Sequence, residues 1–323
     1  MILQLGIFII SLATLIIGSN KFIDSAERIG LSLGISPFII GVTLVSFGTS
    51  LPELTTSILS VLSGSSEIVV GNVVGSNITN ILLVLGTSAI AVRTLKIERD
   101  IMSEDVPLLF GSSILLWFVL RDLHFSMFEA ILFLFGLCGF LMYSIQDRGE
   151  DNTVSAKPGA ITYVILALGA IAIFFGAKYT VSSMESLASS LDISPSLISI
   201  SLLALGTSLP EVVVSVSAAR KGKHAIAVGN VLGSNIFNTY AVMAIPSFFG
   251  ELIIPASITT FALPFMVVTT ILFSLVCYSK SVSFWKAAML ISFYIFFIAE
   301  LIRLGFVNSK ASRATDARGQ FPQ

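Results

Sequence analysis

The sequence predicts an all-α membrane protein of ten transmembrane helices, built as two inverted five-helix repeats. Composition comes first: the 323-residue chain is 55% hydrophobic and only 11% charged, with mean hydropathy +0.95, far from a soluble domain. Apolar stretches long enough to cross a bilayer then follow one another over almost the whole length. Finally, one segment is written twice. Gly48-Thr49-Ser50-Leu51-Pro52-Glu53 recurs unchanged as Gly206-Thr207-Ser208-Leu209-Pro210-Glu211, a shift of 158 residues. The same shift carries Ile35-Ser36-Pro37 onto Ile193-Ser194-Pro195. It also carries the segment from Gly71 to Asn80 onto that from Gly229 to Asn238, with eight of ten residues identical.

The first helix is placed at 2–22. It lacks a basic leader and an Ala-x-Ala-like site, which argues against a cleaved signal peptide. The second, 35–62, carries the first Pro-Glu, and the third, 68–90, carries the first asparagine-bearing segment. The fourth, 104–120, opens with Glu104 and Asp105, carboxylates that complement a helix N-terminus. The fifth, 125–145, completes a first repeat over 1–145. A polar linker, 146–158, is expected on the cytoplasmic side. The second repeat, 159–305, holds helices at 159–180, 193–219, 225–248, 256–278 and 284–304, the last with Glu300 and Arg303 spaced to pair. The tail, 306–323, is polar without apolar periodicity and is expected to be disordered. Cys138 and Cys277 lie inside apolar runs and read as buried packing residues rather than a disulfide framework.

Basic residues set the orientation. Lys21, Arg28, Arg93, Lys96, Arg99, Arg148, Lys157, Arg220, Lys221, Lys223, Lys280 and Lys286 fall at one side of the membrane. Leaving aside the C-terminal end, only Arg121 and Lys178 fall at the other. Both termini are therefore expected to be extracellular, in a multi-pass protein of the cell membrane. Five helices separate equivalent positions, an odd number, so the halves run in opposite senses. Inverted repeats of this kind place a substrate site at the bilayer midplane, where interrupted helices meet.

Glu53 and Glu211 carry the chemistry. Each lies about mid-helix with no Lys or Arg within one turn. An ionised carboxylate in hydrocarbon costs several kcal/mol even on lenient scales, so it must face a cavity, a partner or a cation. Pro52 and Pro210 remove a backbone donor, freeing carbonyls near Gly48 and Gly206. In lipid these need another partner. Gly48 and Gly206 are read as backbone freedom at the break, and Thr49, Ser50, Thr207 and Ser208 as added hydroxyl oxygens. A proline kink with back-bonded hydroxyls is the plainer reading of one such motif; its duplication ahead of a glutamate favours ion ligation.

Asn72, Ser76 and Asn80 are four apart, as are Asn230, Ser234 and Asn238, so each trio shares a helical face. Ser76, Asn80, Ser234 and Asn238 are assigned to the site. Asn72, Asn77, Asn230 and Asn235 are assigned to bracing between helices. An all-oxygen set suits hard cations, and flexible cages suit Ca²⁺ better than Mg²⁺. The two histidines, His124 and His224, fall in connections, away from these motifs. No cofactor is expected: Ca²⁺ and Na⁺ would be transported substrates, with no nucleic acid and no obligatory protein partner.

At these residues the chain resembles the cation/Ca²⁺ exchanger superfamily, specifically the small prokaryotic sodium/calcium exchangers. The likeness spans both repeats. It implies that Glu53 and Glu211 bind Ca²⁺. It also implies sodium sites completed by Thr49, Ser50, Ser76, Asn80, Thr207, Ser208, Ser234 and Asn238, with the backbone carbonyls of Ser46 and Ala204. It further implies that the first and sixth helices slide as a pair across the other eight, where Gly18 and Gly176 would provide small contacts, and that three Na⁺ exchange for one Ca²⁺. Potassium-dependent relatives carry Asp where this chain has Asn238, which argues against a potassium requirement.

The nearest alternative is Ca²⁺/H⁺ exchange on the same glutamates; the hydroxyl and amide ligands favour sodium. A channel would not require two inverted interrupted helices converging on a closed site. An intramembrane hydrolase would need a metal site of histidines or a serine with a base, so no enzyme activity is expected.

Overall fold

Short connections stop one helix and start the next through the residues the backbone requires there. Gly34, Gly64 and Gly222 take positive φ of 72°, 79° and 76°, a conformation open to glycine at little cost. The computed structural model describes residues 2–97, 99–146, 157–190 and 206–319. Its helical runs are α1 (Ile2–Ser32), α2 (Pro37–Leu62), α3 (Glu67–Val92), α4 (Asp105–Val119), α5 (Met127–Gln146), α6 (Ala160–Ser190), α7 (Leu209–Arg220), α8 (224–247), α9 (Ile258–Cys277) and α10 (Phe284–Gly319). Two short strands, β1 (Thr94–Lys96) and β2 (Ser281–Ser283), pair antiparallel. Among the described residues, seven helices are long and apolar enough to cross a membrane: α1, α2, α3, α5, α6, α9 and α10. Of the other three, α4 has 15 residues. Residues 191–205 ahead of α7, including 193–205 of the expected seventh helix, lie outside the described residues. The third, α8, carries three asparagines and an internal Pro246.

Three boundaries differ from expectation. The first and sixth helices run about ten residues further, to Ser32 and Ser190. The apolar run ends near Ser19, but Ala26, Glu27 and Arg28 are ordinary helix formers and no proline intervenes. The last helix continues to Gly319 through the polar tail expected to be disordered. Nothing from Asn308 to Arg318 is Gly or Pro, so the backbone ladder has no breaker there. Of the linker 146–158, residues 147–156 lie outside the described residues.

The sequence repeat is also a backbone repeat. Under the shift of 158 residues, α1 maps onto α6 and α4 onto Leu263–Cys277 of α9. Leu51–Leu62 of α2 maps onto α7. Even the π-turn Asn80–Val84 of α3 maps onto the π-turn Asn238–Val242 of α8. The long helices α1 and α6 pack antiparallel: Thr180 Oγ1 donates to Ser11 Oγ at 3.0 Å. A Cβ on Gly18 would come within 2.7 Å of Ala172, and one on Gly176 within 2.9 Å of Leu15. Both glycines therefore serve the contact between these two helices. The core lies in α2, α3, α7 and α8. Most of α3 is buried, 78% of its apolar window, against 22% for α1. On α5, also only 22% buried, Cys138 is exposed rather than a packing residue, whereas Cys277 of α9 is buried.

Polar contacts fix the two ends of the bundle. At one end Lys221 pairs with Asp24 at 2.9 Å, and Lys223 with Asp24 at 2.6 Å and Glu27 at 2.8 Å. The β1–β2 ribbon lies at this end, where Lys96 N–H donates to His224 Nδ1 at 3.2 Å. The expected dipole role of Asp105 is accompanied by an ion pair with Arg99 at 3.1 Å, and Arg303 pairs with Glu300. At the other end Ile253 N–H donates to Ser66 Oγ at 3.1 Å.

Candidate cation site

Both motif helices break at the same residue. Ser50 (φ −88°, ψ 5°) and Ser208 (φ −87°, ψ 6°) leave helical geometry one residue before Leu-Pro-Glu. Proline then sits in the first turn of each new helix, where its missing N–H is harmless. The carboxylates of Glu53 and Glu211 fall in the same first turns. The break lies at Ser50 and Ser208, two residues after Gly48 and Gly206. Those glycines serve clearance: a Cβ on Gly48 would come within 2.4 Å of Phe22 on α1, and one on Gly206 within 3.0 Å of Val181 on α6.

The site converges between α2, α3, α7 and α8. Glu53, Glu211, Thr49, Ser50, Ser208, Ser234, Asn80 and Asn238 have no solvent exposure, and Ser46 and Ser76 almost none. Thr207 is half-buried. Hydroxyls pair across the two halves in the same way twice: Thr49 Oγ1 lies 3.5 Å from Ser234 Oγ, and Thr207 Oγ1 lies 3.3 Å from Ser76 Oγ. Thr49 also donates to the Ser46 carbonyl at 3.2 Å. Ser50 Oγ donates to Glu211 Oε1 at 3.1 Å. Ala204 lies outside the described residues.

Several buried polar atoms at this centre have no hydrogen-bond partner among the described residues. Both carboxylate oxygens of Glu53, Oε2 of Glu211, the hydroxyl of Ser208, and both amide atoms of Asn80 and Asn238 are in this state. Buried polar atoms are ordinarily bonded, and a partnerless carboxylate is the most costly exception. A concentration of bare oxygens beside two like charges is a place where a cation lowers the free energy.

The asparagines divide into two groups. Asn72 Nδ2 donates to the Glu53 carbonyl at 3.1 Å and to Ser57 Oγ at 3.0 Å. Asn230 Nδ2 donates to Ser215 Oγ at 2.9 Å, and its Oδ1 accepts from Thr49 at 3.2 Å. Asn77 Nδ2 donates to Thr239 Oγ1 at 2.9 Å, and Asn235 Nδ2 to its own helix at Val231. Each of these four has spent its amide nitrogen on protein, although Asn77 Oδ1 has no partner among the described residues. Asn80 and Asn238 have not. Ser57, Ser215 and Thr239 were not singled out in the sequence. For the serines a signal was available: each lies four residues after its glutamate, in both copies, on the same helical face.

The chain matches the sodium/calcium exchanger protein family over residues 3–146 and 161–303. It is 32% identical to the sodium/calcium exchanger MaX1 of Methanosarcina acetivorans, across 91% of this chain and 97% of that protein. It is 31% identical to the inner membrane protein YrbG of Escherichia coli, across 87% and 90%. Its structure superposes on that of the sodium–calcium exchanger NCX_Mj with a TM-score of 0.81 and 31% identity, covering 93% of this chain and 99% of the other.

Proposed function

The chain belongs to the sodium/calcium exchanger protein family, and from that membership we propose that it exchanges Na⁺ for Ca²⁺ across the cell membrane by alternating access. One observation carries the proposal for the site. Two fully buried glutamates from duplicated helices leave three carboxylate oxygens without a partner among the described residues. Glu53 and Glu211 are the Ca²⁺ ligands. Thr49, Ser50, Ser76, Asn80, Thr207, Ser208, Ser234 and Asn238, with the carbonyls of Ser46 and Ala204, share their oxygens among Na⁺ ions. Two carboxylates neutralise one divalent ion or a set of monovalent ones, so the two substrates compete for one cluster.

The ten helical runs make ten membrane passes, as two inverted repeats with both termini outside. The antiparallel contact of α1 with α6 supports this, since these helices are equivalent in sequence yet run oppositely. So does the pairing of β1 with β2. The first follows α3 and the second follows α9, six helices later, an even number that returns the chain to the same side. With the basic residues gathered there, that side is the cytoplasm. The lightly buried pair α1 and α6 slides across the more buried α2, α3, α7 and α8 to open the site to each side in turn.

The test is uptake of radiolabelled Ca²⁺ into proteoliposomes loaded with Na⁺ and diluted into Na⁺-free buffer, beside K⁺-loaded and acid-loaded vesicles. Uptake that requires internal Na⁺ is expected. Uptake driven only by acid-loaded vesicles would assign the protein to Ca²⁺/H⁺ exchange.

A further inference from the structure

Four basic residues at the ribbon end already have work. Lys221 and Lys223 pair with Asp24 and Glu27. Arg99 pairs with Asp105, and its guanidinium lies over Phe38. Lys286 Nζ donates to the carbonyls of Val276 and Ser281 at 2.8 and 3.0 Å, closing the end of α9. Lys21, Arg28 and Arg220 are exposed without an ion pair among the described residues, and so are Arg93, Lys96 and Lys280.

The β1–β2 ribbon carries Arg93, Lys96 and Lys280, with Lys96 and Lys280 toward one end and Arg93 at the other. Lys96 stands opposite Ser281, the residue after Lys280, and Thr94, next to Arg93, stands opposite Ser283. Leu95 and Val282 are buried, so the alternation of the strand turns Thr94 and Lys96 outward. Arg93 and Lys280 also hold φ of 63° and 56°, two of the three positive values among described non-glycine residues. A side chain in that region carries a backbone cost. Glycine would relieve it at both positions, yet both hold a cation. Near them in the chain stand Tyr278 and Trp285, 75% and 80% exposed, with the Phe284 ring edge-on to Trp285, centroids 5.5 Å apart. Such aromatic residues mark the headgroup level of a bilayer.

We propose that Arg93, Lys96 and Lys280, carried by the β1–β2 ribbon, bind the headgroup phosphate of an anionic phospholipid whose acyl chains lie against Tyr278 and Trp285. Charge complementarity selects the occupant: three unpaired cations at headgroup level face the anionic surface that polybasic membrane-proximal residues recognise. Free phosphate shares the charge but not the acyl chains. The placement of the ribbon in the cytoplasmic leaflet rests on the orientation proposed above; the binding itself does not.

The protein contains two tryptophans, Trp117 and Trp285. The full chain carrying Trp117→Phe, reconstituted in phosphatidylcholine vesicles with a minor fraction of phosphatidylglycerol, reports on Trp285 alone. Acyl-chain bromination of either lipid quenches that fluorescence on contact. Brominated phosphatidylglycerol is expected to quench as though enriched about fivefold over its bulk fraction, the scale of one engaged cation. Arg93→Gln, Lys96→Gln and Lys280→Gln together should abolish the enrichment, while quenching by brominated phosphatidylcholine stays unchanged and reports an intact fold. Quenching that follows the bulk fraction in the parent protein would overturn the proposal. So would displacement of the enrichment by inorganic phosphate, which would make the ligand a soluble anion. Neither readout involves transport, so failure here leaves the exchange reading standing.

Discussion

Ser50 Oγ donates to Glu211 Oε1 at 3.1 Å, while Ser208, its counterpart under the repeat, leaves its hydroxyl and both oxygens of Glu53 without a partner among the described residues. The two halves contribute the same residues but commit them differently. Removing a hydroxyl that already serves a buried carboxylate strands that carboxylate, whereas removing an uncommitted one strands nothing. Ser50→Ala should therefore lower the stability of the cation-free protein by about 1–2 kcal/mol more than Ser208→Ala. Thermal unfolding in detergent with chelator measures the difference. Equal losses would mean that the hydroxyl of Ser50 contributes nothing to Glu211 before a cation arrives.

Glu53→Gln or Glu211→Gln should abolish Ca²⁺ uptake and weaken Ca²⁺ binding by at least about a hundredfold, the scale of breaking a buried charge pair. The amide is cheaper to bury than the carboxylate, so insertion and expression should be kept. Calcium-dependent thermal stabilisation gives binding apart from transport. Normal uptake by either variant, in vesicles that contain it, would remove the glutamates from the site.

Much of this arrangement is legible in one dimension because the repeat doubles every signal. Glu53 and Glu211 stand out because a carboxylate in an apolar run has few tolerable surroundings, and the matching asparagine segments mark α3 and α8. What periodicity does not reveal is which side chain has a neighbour to spend itself on. Asn77 and Asn80 are alike in sequence, yet only Asn77 finds Thr239 across the helix interface. Gly48 reads as a hinge until Phe22 is seen against it. Helix ends mislead in a related way. Apolarity stops near Ser19 of α1 and near Leu304 of α10, but backbone hydrogen bonding continues until a breaker intervenes.

Asn238→Asp adds a third carboxylate at a position whose amide makes no hydrogen bond to protein. The substitution is nearly isosteric, so little packing is lost, and the new charge is fully buried, as Glu53 and Glu211 are. Cation binding should tighten by about tenfold or more, since each charge-assisted contact in a buried site exceeds a neutral one. Titration of Ca²⁺ by calorimetry or thermal shift would read the change. Unchanged affinities for both Ca²⁺ and Na⁺ would mean that Asn238 does not line the ion path.

Lys223 joins the connection before α8 to α1 through Asp24 at 2.6 Å and Glu27 at 2.8 Å. Burial alone would lower the titration range of its ammonium, but the hydrogen bonds and charges of Asp24 and Glu27 outweigh it and hold the group above the usual lysine value. A raised value of this kind contributes stability that is complete below the unfolded lysine range and is lost as pH climbs through the folded value. The side chains are partly open to solvent, 18% for Lys223 and 46% for Asp24, so screening limits the contribution to about 1 kcal/mol. Lys223→Met should accordingly melt a few degrees lower at neutral pH and low salt. The gap should narrow in high salt and close in strongly alkaline buffer, where the parent protein loses the same charge. A gap of equal size under all three conditions would assign the effect to lost packing of the lysine stem rather than to its ion pairs.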